Sequence, residues 1–359
     1  MPDGNALQNR VNILGTEKIH GSVINNVLNN PTLWSRFQGM GQKFSNKRMD
    51  FVIKATNSGR GKFFTGAETL STAAADTRIQ LQYLDTSYEQ PVVSIGTELI
   101  RNSNGVIDLH KAELDDAVAE MTTQLGTAIY AGPTAKQPLG LGSIIDDGTN
   151  AGTIGGQSRT TYTNLKATVT ASGGTLTLAK LATLHSTISE SSPNEEPTIH
   201  VTPTDVWDNY ESLLQPTVVA RYADVGMNSL PVRGKAMVRS NELKGGAGFT
   251  ALTYKTMPVI KDKFCTADTW FMINENYTGW YGRSDMPGAL SPYLSKVSLG
   301  QPKTMTGADF VPSEHHGMYF KKEQMPVNQL AIVGHYILMG QMITTQPRRN
   351  GKLTGITGV

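Results

Sequence analysis

Cysteine is nearly missing from this sequence. A single Cys265 in 359 residues leaves no intrachain disulfide framework and suits a chain that folds in a reducing cytoplasm. As a nucleophile Cys265 would need a histidine base, and the sequence places none beside it, so a buried inert thiol is expected. Charge of one sign is lacking too: 32 Lys and Arg stand against 30 Asp and Glu, a net charge of +2. No global field then draws the chain to nucleic acid or a membrane, and any DNA contact would be local. The longest apolar run, 330–339, is about half of the ~20 residues that a membrane span requires and contains His335. The N-terminus lacks the basic and apolar blocks of a signal peptide. The expectation is a soluble protein with no membrane contact.

Catalytic signatures are equally scarce. There is no G-x-S-x-G, H-E-x-x-H, C-x-x-C or Walker motif. His315 and His316 are adjacent, so in regular structure their side chains diverge, and Glu314 does not repair that geometry for a metal. Asp146, Asp147 and Asn150 lack the alternating spacing and closing Glu of a calcium loop. No cofactor or metal is expected. The stretch "QPLGLGSIIDD", 137–147, looks like a phosphate loop, but its glycines follow a helical pattern instead of preceding one, and the acidic pair behind them repels phosphate. Gly140 and Gly142 are expected to turn the chain. Arg348, Arg349 and Lys352, like Lys321 and Lys322, read as solvated basic turns able to touch phosphates in a salt-dependent way.

What the chain does have is glycine, 36 residues of it, in a background of Ser, Thr and Asn that suits sheets joined by many turns. Residues 1–15 read as a polar arm. Ile19, Val23, Ile24, Val27 and Leu28 then recur at helical spacing and stop at Pro31, a short amphipathic helix that must dock on something else. From 49 to 57 Met49, Phe51, Ile53 and Ala55 alternate onto one face, and Ile79, Leu81 and Tyr83 do so again after a glycine-rich and alanine-rich tip. That predicts a long antiparallel hairpin. A lone two-stranded hairpin is marginal in water, so it packs under its own subunit or lies across a neighbour; the small, polar tip favours the neighbour.

The most regular element is 108–131. Asp108 is an N-cap candidate, Leu114, Ala117, Val118, Met121, Leu125, Ala128 and Ile129 form a stripe, and Gly132-Pro133 ends it. Glu113, Asp115, Asp116 and Glu120 crowd its N-terminal half, where the helix dipole favours them over any catalytic use. A turn-rich insertion spans 146–175, and a helix is predicted over 178–190 with His185 as a core or boundary histidine. A buried strand at 198–201 leads through Pro203 into a helix with Val206, Trp207, Tyr210, Leu213 and Leu214 on one face, the strand–turn–helix of a compact domain with a central sheet. Short strands are predicted at 236–239, 249–254, 258–261 and 269–273, and again at 330–333 and 335–344, with Asn350-Gly351 as a hairpin signal.

This order of parts resembles the major capsid protein of tailed bacteriophages, the Hong Kong 97 type of fold. Gln137, Pro138, Gly140 and Leu141 match that family's Q-P-x-G-hydrophobic turn after the spine helix; Ile199, Val201, Thr202, Pro203 and Trp207 match its strand leading into a Pro-x-x-x-Trp helix start. "LPVRGKAM" at 230–237 and "YKTMPVIKDK" at 254–263 look like its strand with an embedded Pro-Val. The resemblance covers about 16–355 and implies an α+β chain divided into an N-terminal arm 1–48, an extended β-hairpin loop 49–92, a peripheral domain 93–197 with spine helix 108–131, an axial domain 198–330, and strands 331–359 returning to the peripheral domain. It further implies a non-enzymatic shell protein of the virion, self-assembling in the host cytoplasm into pentamers and hexamers around double-stranded DNA held by weak non-specific contact. Separate scaffolding and portal proteins and a decoration protein are the implied partners; no cleavable scaffold region precedes the arm, so scaffold would come from a separate protein or be removed before this numbering. Lys54, Ser58, Gly59, Arg60, Gly61, Lys62, Phe63 and Arg78 on the hairpin, with Ile19, Val23 and Val27 on the arm, are the implied subunit-interface residues. Some family members join subunits by a Lys-to-Asn bond, but no asparagine or carboxylate is matched to Lys54 or Lys62. An encapsulin compartment is the alternative on the same fold; a cytoplasmic enzyme binding a phosphorylated ligand, or a helical tail-tube protein, are alternatives on others.

Overall fold

The computed structural model describes residues 31–45, 48–70, 72, 74–101, 109–132, 136–191, 195–225, 252–283, 310–312, 318–325 and 329–358. Two six-stranded sheets organise them. In the first, β9 (Ile199–Thr202) and β12 (Thr269–Ile273) lie at the centre and every residue of both is buried. Their alternation explains why. Ile199, Val201, Phe271 and Ile273 enter one core, while Trp270 and Met272 enter a second on the opposite face. Such a strand must be apolar on both sides, unlike a strand with one wet face. The second core is closed by α5 (Leu178–Ser191) through Leu181, Leu184 and Ile188, and by α6 (Thr204–Val225) through Val206, Trp207 and Tyr210.

The first core is closed by α1 (Thr32–Gly39) and the spine helix α3 (Leu109–Ala128). Helix α1 was not expected: Pro31 stands directly before it, where proline's fixed φ and missing N–H suit a helix start. Leu33, Trp34 and Phe37 are buried by it, and Trp34 packs edge-on against Trp280 at 4.9 Å. The buried carboxylate of Asp262 ties these parts together, accepting hydrogen bonds from the Leu33 N–H (3.1 Å), the Tyr130 hydroxyl (2.9 Å) and the Phe264 N–H (2.9 Å). On α3 the expected stripe holds at Ala117, Met121, Leu125, Ala128 and Ile129, but Val118 is 43% exposed because it lies at the stripe's edge, beyond the cover of the sheet. Asp108 and Pro133 lie outside the described residues, as do the amphipathic segment 19–28, the strand expected at 236–239 and His315 and His316.

The second sheet is built on β16 (Ala331–Thr344), one continuous strand where two were expected. It pairs along one edge with β4 (Thr86–Ile95) through ten registered residues, and along the other with β13 (Thr278–Arg283) and β15 (Met318–Gln324). The spine helix runs antiparallel to β4: Ser94 Oγ lies 2.7 Å from His110 Nδ1, and farther along Gln90 donates to Glu120 at 2.9 Å. The strands of the two sheets interleave along the chain. β13 and β15 join β4 and β16, whereas β17 (Gly351–Thr354) crosses back to pair with β12.

The hairpin signal at Asn350-Gly351 is therefore overturned. Asn350 is extended, at φ −115° and ψ 155°, and fully buried; its amide accepts from the Asn274 N–H (2.8 Å) and donates to Thr278 Oγ1 (2.9 Å). A turn signal lost to a buried side-chain network is a tertiary effect. Arg348, Arg349 and Lys352 are likewise not a solvated basic turn: Arg349 pairs with Glu195 and stacks on Tyr277 at 4.4 Å, Arg348 donates to Asn164, and Lys352 is buried beside Asp146.

Candidate assembly surface

β2 (Met49–Lys54) and β3 (Arg78–Tyr83) form the expected hairpin, in register from Met49 opposite Tyr83 to Lys54 opposite Arg78. One face is dry. Met49, Leu81 and Tyr83 make a third small core with Ile154, Leu165 and Ile343, and Phe51 packs edge-on against Tyr281 at 5.8 Å. The Tyr83 hydroxyl donates to the Thr344 carbonyl at 2.6 Å, and burial raises its pKa far above the ordinary phenol range. Arg283 pairs with Asp85 at 3.0 Å just beyond the root. Of the two supports open to the hairpin, its strands take the one less favoured by the sequence and pack on their own chain.

The platform under the hairpin is the 146–159 loop, read from sequence as mere turns. It is organised by ions with no exposure. The Asp146 carboxylate accepts from the N–H groups of Gly148, Asn150 and Ala151 at 2.9–3.0 Å and faces Arg159 at 3.4 Å and Lys352 at 3.7 Å. Burial by itself would raise the Asp146 pKa; the hydrogen bonds from Ala151, Gly148 and Asn150, with the charge of Lys352, outweigh it and hold the carboxyl below its ordinary value. Arg159 donates to the carbonyls of Ala151, Ser143 and Ile144. The loop so fixed presents Gly155, at φ +54°, to β3: its carbonyl accepts from the Gln82 N–H at 2.9 Å, and a Cβ there would come within 2.9 Å of Leu81 Cβ. Only glycine fits.

Beyond Lys54 and Arg78 the chain leaves this support. Residues 61–70 are all exposed. Phe63 is 106% exposed, Phe64 58% and Leu70 55%, and Val52 on the outer face of β2 is 69% exposed. Lys54, Ser58, Gly59, Gly61, Lys62 and Arg78 are exposed and Arg60 partly so, with Lys62 in a surface pair with Glu68 at 3.2 Å. The structure therefore gathers the eight hairpin residues named from sequence into one projecting element; Ile19, Val23 and Val27 lie outside the described residues. Phe64, Leu70 and Val52 were missed, although two adjacent phenylalanines in a glycine-rich tip are themselves a signal.

Other candidates resolve as structure. A side chain at Gly140 would collide with the backbone of Ala131 and approach the Ala128 carbonyl within 2.8 Å, so the glycines pack the turn onto the spine helix and leave no phosphate cradle. Cys265 is buried and its thiol pKa is pushed well up by that burial. His185 is buried on α5 as expected. Among the described residues no three His, Cys, Asp or Glu side chains converge as a metal would require, and no helix is long and apolar enough to cross a membrane.

The chain matches no protein-family model and no curated protein. Its structure does have solved counterparts over nearly the whole length. It is similar to a chain of the cyanophage A-1(L) capsid asymmetric unit, with a TM-score of 0.65 at 13% identity covering 97% of this chain and 99% of that one. This is the tailed-phage capsid fold. The Hong Kong 97 type of capsid fold also covers the similarity to the capsid of a native GTA particle (TM-score 0.54, 8% identity, 98% and 99% of the two chains). A third similar structure is the SrpI encapsulin of Synechococcus elongatus (TM-score 0.54, 10% identity, 99% and 96%).

Proposed function

We propose that many copies of this chain close into a shell, the pentamers and hexamers of an icosahedral phage head that encloses double-stranded DNA. The observation that carries this reading is the capsid fold shared end to end with the cyanophage A-1(L) capsid chain. A hairpin whose root is buried at home and whose tip holds two uncovered phenylalanines supports it, because such a tip is completed by a second molecule. In this reading 49–92 is the extended loop, 108–131 the spine of a peripheral domain, 198–330 the axial domain, and 331–359 the closing strands. The arm residues Ile19, Val23 and Val27 and the tip residues around Phe63 are the intersubunit ties. Each contact can be modest where every copy is held by several neighbours. The protein performs no catalysis; it resides in the virion, with scaffolding, portal and decoration proteins as partners and DNA held weakly. Deleting 58–75 is expected to leave a folded, soluble subunit that forms no closed particles; normal shells from that variant in negative-stain images would refute the reading.

The second reading, a protein-filled compartment, is favoured by the SrpI encapsulin similarity. The contents decide between them: purified particles carry nuclease-protected DNA in one case and cargo protein in the other.

A further inference from the structure

The long sheet has one edge that the described residues leave open. β4 pairs with β16 along one side through ten registered positions without a bulge, and no described strand pairs with its other side. The hydrogen bonds around the ladder fix which residues point each way. The Gly96 N–H donates to the Leu330 carbonyl at 2.9 Å, and in an antiparallel pair the backbone groups that cross the ladder recur at every second residue. Positions 86, 88, 90, 92 and 94 therefore turn their N–H and C=O to β16. The same phase holds on the partner strand, where the Thr344 carbonyl accepts from the Tyr83 hydroxyl on the β4 side and the Thr345 N–H donates to the Tyr277 carbonyl on the other. Positions 87, 89, 91, 93 and 95 face the open edge, and the residue in the middle of that row is Pro91, which has no N–H. A proline at 90 or 92 would remove a hydrogen bond from the subunit's own ladder. At 91 it removes only a donor on the free side.

This edge has little else to protect it. The stretch "TSYEQPVVSI", 86–95, is rich in Thr, Tyr, Val and Ile, which favour extended chain, and its one charged residue is Glu89. Natural sheets often set lysine on an open edge, and there is none here. Ser87, Glu89, Pro91 and Val93 are exposed, but the Glu89 carboxylate leans across to β16, 2.6 Å from His335 Nδ1, and away from the edge. Without its proline the stretch would have the composition of segments that pair with copies of themselves: high extended-chain preference and low charge. We propose that Pro91 holds the free edge of β4 closed against strand pairing with the β4 of a second copy. Two such edges brought together antiparallel would join the ladders of two subunits into one continuous sheet, a self-complementary contact that competes with any other association of the chain. Pro91 breaks the row of donors at its middle, sets its ring where a partner strand would approach, and leaves two donors on either side.

The test uses the full chain. Pro91→Val restores the missing donor without touching the β4–β16 ladder, so its thermal midpoint is expected to stay at or above that of the wild type. Its soluble protein is expected to be lost to assemblies that bind thioflavin T and show an intermolecular β band in the infrared. Moving the proline along the same edge, Pro91→Val with Val93→Pro, is expected to return the protein to wild-type solubility, because 93 also faces the edge and is 43% exposed. Pro91→Val with Val93→Lys is expected to do the same by charge. Pro91→Val protein that stays soluble and thioflavin-negative wherever the wild type does overturns the proposal, as do assemblies that neither second substitution removes. A midpoint well below the wild type overturns it too, since the proline would then serve the subunit's own fold. Each of these outcomes leaves the shell reading standing, and wild-type protein that never closes shells overturns that reading and not this one.

Discussion

The sheet around β9 and β12 and the hairpin β2–β3 are built from the same kinds of residue and end in opposite states. In the first, β9 and β12 are covered on both faces and their backbones are paired on both edges. In the second, one face is covered at the root, the other is wet, and the tip carries aromatic rings into solvent. Apolar surface left in water is a free-energy cost that folding has not relieved, at about 25 cal/mol per Å². The core around β9 and β12 is therefore complete as a single molecule, whereas the tip leaves apolar surface that a single molecule does not cover.

That contrast can be broken most severely at the ionic platform. Asp146→Ala leaves Arg159 and Lys352 buried without their carboxylate and is expected to cost about 3–5 kcal/mol, read as a lower urea midpoint of the isolated subunit. Next comes the hairpin root: Leu81→Ala, at a site with no exposure, is expected to cost about 2–5 kcal/mol by cavity formation, with the loss of the near-ultraviolet signal of Tyr83 reporting that the strands have lifted. At mildly acidic pH a smaller effect distinguishes the sheet. His200 is held down to about 3 by burial first, and then by the charges of His185 and Lys255; Trp270 donates to its Nδ1 and Tyr254 packs against its ring. The folded protein keeps it neutral while the unfolded chain binds the proton. Stability is then full above about pH 6.5 and is lost as the pH falls toward 3, by up to about 1.4 kcal/mol per unit, and His200→Gln should flatten thermal midpoints measured across that range. His185, also lowered by burial, adds in the same direction. The smallest expected effect on the subunit is at the tip. Phe63→Ser should move stability by less than about 0.5 kcal/mol while removing closed particles from electron micrographs. A large loss of stability there would erase the distinction between the two regions.

Local periodicity carried much of this into the sequence. The alternation of Met49, Phe51 and Ile53 against Ile79, Leu81 and Tyr83 set the hairpin and its buried face, and the stripe Ala117–Met121–Leu125–Ala128 set the spine. What stayed hidden was decided by partners far along the chain. Asp146 and Arg159 looked like loop polarity because Lys352, two hundred residues away, is part of their balance. Asn350 looked like a turn because nothing local shows that Asn274 and Thr278 occupy its amide. The short helix after Pro31 has too few apolar residues to be read locally, and only the core that receives Leu33 and Phe37 reveals it. For the tip, glycine content and polarity marked a projection, but which of its side chains stand in water follows from the fold.

The unbroken strand β16 adds a mechanical role. Its fourteen residues, about 45 Å long, run from Leu330's neighbour Ala331 to Thr344, where Tyr83 is hydrogen-bonded. A pull on the hairpin enters at that hydrogen bond and runs along the strand, so the ten registered positions it shares with β4 are loaded in shear together instead of opening one after another. Tension applied at one extremity of the sheet is thereby delivered to the other with little strain in between.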